Sequence, residues 1–160
     1  IVIKELAAAA LFMGVTHSEI ECLSLNMYHE ARNQGTAGVL AVSNVVLNRV
    51  YDERFPDTIC GVVKQGPTRQ SWRKDGGMIP VKNRCQFSWY CDGKSDEPND
   101  EVTYEQLYEL SMDLLSTNFP YLDITDGATH YHADYIFPAW AVTKTRTVEI
   151  EDHIFYRWEN

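Results

Sequence analysis

The pattern of hydrophobic and polar positions predicts a helix that begins near Ser18 and ends near Asn33. Residues 18–21, Ser-Glu-Ile-Glu, match a capping box, with serine at the N-cap and glutamate three positions later. Projected at about 100° per residue, three apolar side chains share one stripe of this helix: Leu23, Met27 and Ala31. The stripe predicts that the helix packs into the core.

One acidic side chain, Glu30, lies at the edge of this stripe, beside Leu23 and one turn after Asn26. A partly desolvated carboxyl group with no cation beside it favours its protonated form and suits a general acid. The alternative is a solvated glutamate at a helix end, which is the usual position of glutamate. Glu30 is therefore the candidate for the chemistry.

Two further helices are predicted. Residues 37–51 place four valines on one face, Val39, Val42, Val46 and Val50, and we expect this face to pack against the Glu30 helix. Asn44 and Asn48 fall on its other face. A second capping box, at residues 103–106, predicts a scaffold helix that ends near Asn118.

The chain length predicts a single domain over residues 1–160, with its core in residues 18–158. Residues 1–17 are predicted to be an N-terminal helix or the remnant of a leader. The apolar run of residues 6–15 is too short to span a bilayer, so no membrane span is predicted.

Residues 61–99 are rich in glycine, proline and charge without clear periodicity, which predicts loops with short elements. Within them, residues 86–89 alternate hydrogen-bonding and aromatic groups, Gln-Phe-Ser-Trp, a composition suited to sugar rings. We expect at least one of Phe87 and Trp89 to lie in the core instead.

The last third of the chain has strand-like patterns. His130 and His132 alternate with Thr129, Tyr131 and Ala133, so the two histidines should share one face of a strand. Residues 144–150 and 153–158 are also strand-like in composition, which predicts a small antiparallel sheet. The fold class is therefore α+β, mainly helical.

The net charge of the chain limits the classes of partner that it can bind. The chain has 14 basic and 23 acidic residues, a net charge of −9. This balance argues against nucleic acid, anionic membrane surfaces and anionic wall polymers, since all of them select for basic clusters. A glycan remains compatible, and we expect a monomer without a cofactor.

Cys22, Cys60, Cys85 and Cys91 form an even set whose spacing matches no CxxC motif. Disulfides are the expected use in an exported protein, and buried free thiols are the alternative. Because Cys22 lies in a helix and should face inward, we prefer a pairing of Cys60 with Cys85 or Cys91.

Five blocks of the sequence, in this order, resemble the SleB-type cell-wall hydrolases, which include spore-cortex-lytic enzymes and phage lysins. They are CLSLNMYHEARNQGTAGVLAVSNVVLNRV, RFPDTICGVV, CQFSW, ATHYHADYIFPAW and HIFYR, spanning residues 22–157. The resemblance implies a lysozyme-like fold with the acid helix on one wall of a cleft and the sheet opposite. It implies action outside the cytoplasm, in the periplasm or wall or by phage delivery, although the protein could accumulate in the cytoplasm before release.

The glutamate of the family's EAR motif falls on Glu30, and the peptidoglycan-binding residues implied by the matching blocks are Gln86, Ser88, Trp89, Thr129, His130, Tyr131 and His132. Asp123, Asp126 and Asp134 lie near the ATHYH block but match no catalytic position. We therefore expect a lytic transglycosylase that cuts the MurNAc-GlcNAc bond with Glu30 as acid and base. The alternative is a zinc amidase or peptidase with His130, His132 and His153 as ligands. A noncatalytic sugar-binding module is a third possibility.

Overall fold

The computed structural model describes residues 15–117 and 122–159. Four α-helices are present in these residues: α1 (His17–Ala31), α2 (Thr36–Val50), α3 (Ile59–Val63) and α4 (Glu101–Thr117). Two 3-10 helices cover Ser88–Cys91 and Ala139–Thr143. The helix predicted for the apolar run of residues 6–15 falls almost entirely outside the described residues.

Five strands form two antiparallel sheets. β1 (Thr68–Gln70) pairs with β2 (Met78–Pro80) in a hairpin within the region predicted to form loops with short elements. The larger sheet has the order β3-β5-β4, and its strands are β3 (His130–Ala133), β4 (Thr145–Ile150) and β5 (His153–Arg157). The predicted α+β class with a small C-terminal sheet is confirmed.

The helix with Glu30 begins earlier than predicted. Its N-cap is Thr16, whose hydroxyl accepts the Glu19 amide at 3.3 Å, so Ser18 already lies inside the helix. Residues 16–19, Thr-His-Ser-Glu, satisfy the same capping pattern two positions upstream. The Glu19 carboxylate instead accepts the Ile59 amide at 2.7 Å, which fastens the start of α3 to α1.

The scaffold helix α4 also begins earlier, at Glu101 and not at the predicted Thr103. Asp100 provides the cap, because its carboxylate accepts both the amide of Thr103 at 3.1 Å and the hydroxyl of Thr103 at 2.6 Å. Two capping patterns compete here, and aspartate is the stronger N-cap residue. The helix then packs its leucines against α1.

The core lies between α1, α2 and α4, where Leu23, Met27, Val42 and Val46 are fully buried. The predicted packing of α2 against the Glu30 helix is confirmed. The placement of Asn44 on an outer face was wrong, because this side chain has no exposed surface.

Both asparagines of α2 hold the segment that leads into β3. The Asn44 side-chain amide donates to the Leu122 carbonyl at 2.9 Å and accepts the Ile124 amide at 3.1 Å. Asn48 donates to the Ala128 carbonyl at 2.9 Å. Buried amides need such partners, and here they fix the sheet against α2.

A hydrogen bond between a side chain of the sheet and the backbone at the start of α2 joins these two elements. The Glu151 carboxylate, in the turn between β4 and β5, accepts the Gly35 amide at 2.8 Å. A Cβ atom at Gly35 or Gly38 would lie 2.5 Å or 2.3 Å from that carboxylate. Glycine at both positions therefore allows the anion to reach the positive end of the helix.

The disulfides correct the predicted pairing. Cys22 bonds to Cys60 and Cys85 bonds to Cys91. Cys22 does lie inside, as predicted, but it faces the first turn of α3, where Cys60 is located. The contact between α1 and α3 that brings these two cysteines together depends on tertiary packing, which their spacing does not reveal.

We expect loss of the Cys22–Cys60 bond to destabilise the protein more than loss of Cys85–Cys91. The first bond closes a separation of 38 residues and the second a separation of 6, and the chain-entropy model assigns them about 4 and about 2 kcal/mol. Urea unfolding of the double alanine variants Cys22→Ala/Cys60→Ala and Cys85→Ala/Cys91→Ala would measure the order. A larger loss from the short loop would contradict it.

Candidate active site

Glu30 is half-buried in the last turn of α1. Burial raises the pKa of its carboxyl group, and a hydrogen bond from Tyr131 and the charge of Arg49 oppose this without cancelling it. The C-terminal end of a helix carries partial negative charge, which also disfavours a carboxylate there. The environment thus favours the protonated acid that the sequence predicted.

One part of the prediction was wrong, because a cation does lie near Glu30. Arg49, in the last turn of α2, is buried, and its charge acts on Glu30. Burial lowers the pKa of Arg49 to about 10, so the guanidinium stays charged at neutral pH. Glu30 is therefore tuned by two opposing influences, burial and a nearby positive charge.

Arg49 is held in place from several sides. Its Nε donates to the Thr129 carbonyl at 2.7 Å, and its guanidinium lies 4.9 Å and 5.5 Å from the ring centres of Phe55 and Phe87. Its Nη1 is buried without a hydrogen-bond partner. A signal for this residue was present in the sequence, since Arg49 continues the apolar stripe of Val42 and Val46 at helical spacing.

Glu30 opens into a cavity of about 270 Å³ between α1, α2, the 3-10 segment after Cys85, and β3. Its lining residues are Glu30, Arg49, Gln86, Phe87, Ser88, His130, Tyr131 and Trp140. Four of the seven predicted binding residues line it, namely Gln86, Ser88, His130 and Tyr131. Among the residues that the structure describes, Glu30 is the one carboxyl-bearing residue in this lining.

Trp89 does not line this cavity. Its indole N–H donates to Asn26 at 3.0 Å and its ring stacks on His29 at 4.7 Å between centres. Both Phe87 and Trp89 are buried, consistent with the expectation that at least one would be in the core. Trp89 therefore supports the helix turn that presents Glu30.

Thr129 and His132 also lie outside the lining. The Thr129 carbonyl accepts the hydrogen bond from Nε of Arg49, and the Thr129 hydroxyl contacts Nδ1 of the His130 ring at 2.9 Å. Both ring nitrogens of His132 are engaged, with the Tyr156 hydroxyl at 2.8 Å and with the Ala133 carbonyl at 2.7 Å. These two residues position the lining residues beside them.

His130 faces the cavity as a neutral ring. Burial lowers its pKa to about 4, and the charges of Arg49, Lys144 and Arg54 act in the same direction. The Trp140 ring lies 5.2 Å from the His130 ring and also lines the cavity. A neutral imidazole beside an aromatic ring can contact sugar hydroxyls and apolar ring faces.

The arrangement does not support the zinc alternative. The register pairs His130 with Tyr156 and His132 with Ile154, while His153 pairs with Ala133. Because directly paired residues share a face and successive residues alternate, His153 lies on the face opposite the other two. Among the described residues, no three histidine, cysteine, aspartate or glutamate side chains converge in a way that could hold a metal ion.

Asp123, just before the turn that leads into β3, has structural partners. Asp123 accepts the amides of Thr125 and Gly127, both at 2.8 Å, and Asn48 at 3.0 Å. Burial raises its pKa, but these hydrogen bonds outweigh burial and hold the pKa below its usual range. Asp123 therefore shapes the turn before β3 as an ionised group.

A comparison with protein families agrees with this geometry. Residues 33–156 match the family model described as Cell Wall Hydrolase. The chain belongs to the Cell Wall Hydrolase family. The match begins three residues after Glu30, so it includes Arg49, Gln86, Ser88, His130, Tyr131 and Trp140.

Two relatives of this Cell Wall Hydrolase chain are spore cortex-lytic enzymes. The enzyme of Oceanobacillus iheyensis is 27% identical over 143 residues, which are 89% of this chain and 42% of the relative. The enzyme of Halalkalibacterium halodurans is 26% identical over 143 residues, 89% of this chain and 36% of the relative. The chain thus spans less than half the length of these relatives.

Two solved structures have a similar fold. The catalytic domain of the Bacillus cereus SleB protein aligns with a TM-score of 0.60 and 23% identity, covering 90% of this chain and 93% of that domain. The catalytic domain of the germination-specific lytic transglycosylase SleB from Bacillus anthracis aligns with a TM-score of 0.57 and 22% identity, covering 90% of this chain and 98% of that domain. The chain therefore shares the fold of these two domains.

Proposed function

We propose that this chain cleaves the glycan strands of peptidoglycan as a lytic transglycosylase, through one catalytic unit formed by residues 18–158. The observation that supports this most directly is the single carboxyl-bearing residue, Glu30, in the described lining of the cavity. A conventional glycosidase places two carboxylates across the scissile bond. Family membership and the lytic relatives support the same substrate.

The reaction requires Glu30 to act twice. The protonated carboxyl first donates its proton to the oxygen that bridges the MurNAc and GlcNAc residues, and the bond from that oxygen to the muramyl anomeric carbon breaks. The resulting carboxylate then takes the proton of the muramyl C6 hydroxyl. The C6 oxygen bonds to the anomeric carbon, which closes a 1,6-anhydro ring and returns Glu30 to its protonated state.

The surroundings of Glu30 suit both roles. Burial favours the protonated form needed first, while Tyr131 and Arg49 stabilise the carboxylate needed second. Gln86, Ser88 and the neutral ring of His130 provide hydrogen-bonding groups for the sugar, and Trp140 provides an apolar face. Holding C6 over the anomeric carbon gives ring closure a large advantage over attack by water.

None of the helices in the described residues is long and apolar enough to cross a membrane. We propose that the protein acts as a monomer on the wall, outside the cytoplasm. Sedimentation of the purified protein across a range of concentrations would test the oligomeric state.

The product identifies the reaction. Purified peptidoglycan digested in ¹⁸O-labelled water should yield fragments that end in 1,6-anhydro-muramyl groups and contain no label at those ends, as read by mass spectrometry. Labelled reducing muramyl ends would show a hydrolase and would require a second catalytic acid. New amino or peptide carboxyl ends would show cleavage of the peptide portion and overturn the proposal.

A further inference from the structure

A segment beside the cavity is basic although the chain as a whole is acidic. We call residues 66–84, which contain β1 and β2, the hairpin segment. It has five basic residues and one acidic residue, Asp75, whereas the whole chain has 14 basic and 23 acidic residues. The five are Arg69, Arg73, Lys74, Lys82 and Arg84, and all are exposed. The net charge of −9 therefore conceals a positive surface.

These cations form no ion pair with an acidic side chain among the described residues. Among the described residues, the ion pairs that form involve other cations, such as Arg54, Arg146 and Arg157. In the hairpin segment, Arg69 donates only to the neighbouring Gln70 carbonyl, and the Arg73 guanidinium lies 5.2 Å from the centre of the exposed Trp72 ring. A concentration of unpaired positive charge favours an anionic partner and can steer its approach.

The hairpin segment starts at the rim of the cavity. The backbone N–H of Gln86, which lines the cavity, donates to the backbone carbonyl of Gln65 at 2.9 Å, next to the start of the segment. The Pro67 carbonyl accepts the Val81 amide at 2.9 Å and closes the base of the hairpin. The Cys85–Cys91 disulfide follows directly after Arg84. The basic segment is therefore anchored to the element that presents Gln86 and Ser88.

We propose that the hairpin segment binds carboxylates of the peptide stems on the glycan strand whose bond lies in the cavity, an inference that rests on the proposed function. The stems are attached to muramyl residues, so they leave the strand close to the scissile bond, and they end in carboxylates. Three of the five basic residues are arginine, whose planar guanidinium matches a carboxylate with two parallel hydrogen bonds. The acidic remainder of the surface repels the same groups, so the stems meet the enzyme at this segment.

Binding to insoluble peptidoglycan tests the proposal without turnover. The Glu30→Gln variant would be sedimented with intact sacculi and with sacculi whose free carboxylates had been converted to neutral amides by a carbodiimide and excess ammonia, which leaves the cross-links whole. Teichoic acids would be stripped from both beforehand. We expect tighter binding to the intact sacculi. Adding Arg69→Gln and Arg73→Gln should lower the affinity for intact sacculi about threefold to tenfold, as expected for a few exposed charge pairs, and leave the affinity for amidated sacculi unchanged.

A matched control separates this surface from net charge. Arg146→Gln with Arg157→Gln makes the same change in net charge on β4 and β5, away from the hairpin segment, and should leave the preference for intact sacculi as it was. The preference should also weaken as salt rises from 50 to 500 mM, since exposed charges are screened.

Three results would overturn the inference: equal affinity for both sacculi before mutation, an equal loss on both after the hairpin substitutions, or an equal loss with the control pair. Binding that depends on the hairpin only when teichoic acids are retained would instead assign the surface to a phosphodiester polymer. Because sedimentation needs no catalysis, failure of the transglycosylase proposal would appear in the digestion products and failure of this inference in the binding.

Discussion

Glu30→Gln is expected to lose nearly all wall-degrading activity while the protein stays folded. The amide keeps the shape of the carboxyl group but has no acid proton to donate to the bridging oxygen. General acid–base catalysis is worth roughly 10² to 10⁴-fold, and a group that serves in both steps should be at the upper end of this range. The measurement is the rate of release of soluble fragments from purified sacculi.

Folding must be followed in the same samples, by circular dichroism and thermal unfolding. Burial of an ionisable side chain is unfavourable, so the neutral amide should not destabilise the last turn of α1. Glu21→Gln is a suitable control, because Glu21 is on the same helix with its side chain 48% exposed. Near wild-type turnover by Glu30→Gln, or an equal loss in Glu21→Gln, would remove Glu30 from the proposed mechanism.

The sequence was most informative where a local pattern determines the structure. The helix with Glu30 and the strand of His130 and His132 both follow from side-chain periodicity, which depends only on neighbouring residues. The N-caps were displaced by two and three residues, since Thr16 and Asp100 compete with the capping patterns at Ser18 and Thr103.

Contacts between distant segments could not be predicted in the same way. Whether His153 faces His130 depends on β5 pairing with β3 and on the register of that pairing. The Cys22–Cys60 bond depends on how α3 docks on α1. Each is set by tertiary packing, so neither the zinc alternative nor the disulfides could be decided from spacing.

Arg49 shows the same limit at the candidate site. Its spacing from Val42 and Val46 is compatible with burial, but its proximity to Glu30 depends on how α1 and α2 pack together. The prediction for Glu30 considered only the residues of its own helix. It therefore missed the positive charge of Arg49, which the fold brings near from α2.

The second large effect is expected at Arg49. Arg49→Met removes the positive charge that stabilises the Glu30 carboxylate, which the proposed second step needs as a base. We expect kcat to fall by about 10²-fold, in the range found when one group that stabilises developing charge is removed. The methionine preserves the apolar contacts with Phe55 and Phe87 but leaves the Thr129 carbonyl without its donor. A stability loss of about 1–3 kcal/mol should accompany it.

The pH profile separates this role from a purely structural one. The free enzyme must have Glu30 protonated, so kcat/KM should fall as pH rises through the pKa of Glu30, which burial raises above its ordinary value. Arg49 lowers that pKa, so Arg49→Met should raise it and move the alkaline limb of the profile to higher pH. Tyr131→Phe should move the limb in the same direction, because the Tyr131 hydroxyl also favours the carboxylate.

Arg49→Lys keeps the charge and should keep the limb near its wild-type position even if kcat falls. His130 has a pKa of about 4 and is neutral across the range where Glu30 loses its proton. Its substitution by glutamine should therefore leave the limb in place. If the limb stays fixed in Arg49→Met while kcat falls, Arg49 supports the fold and does not tune Glu30. If the alkaline limb instead shifts in the His130→Gln variant, the titrating group in the cavity is the histidine, and the assignment of Glu30 as the acid fails.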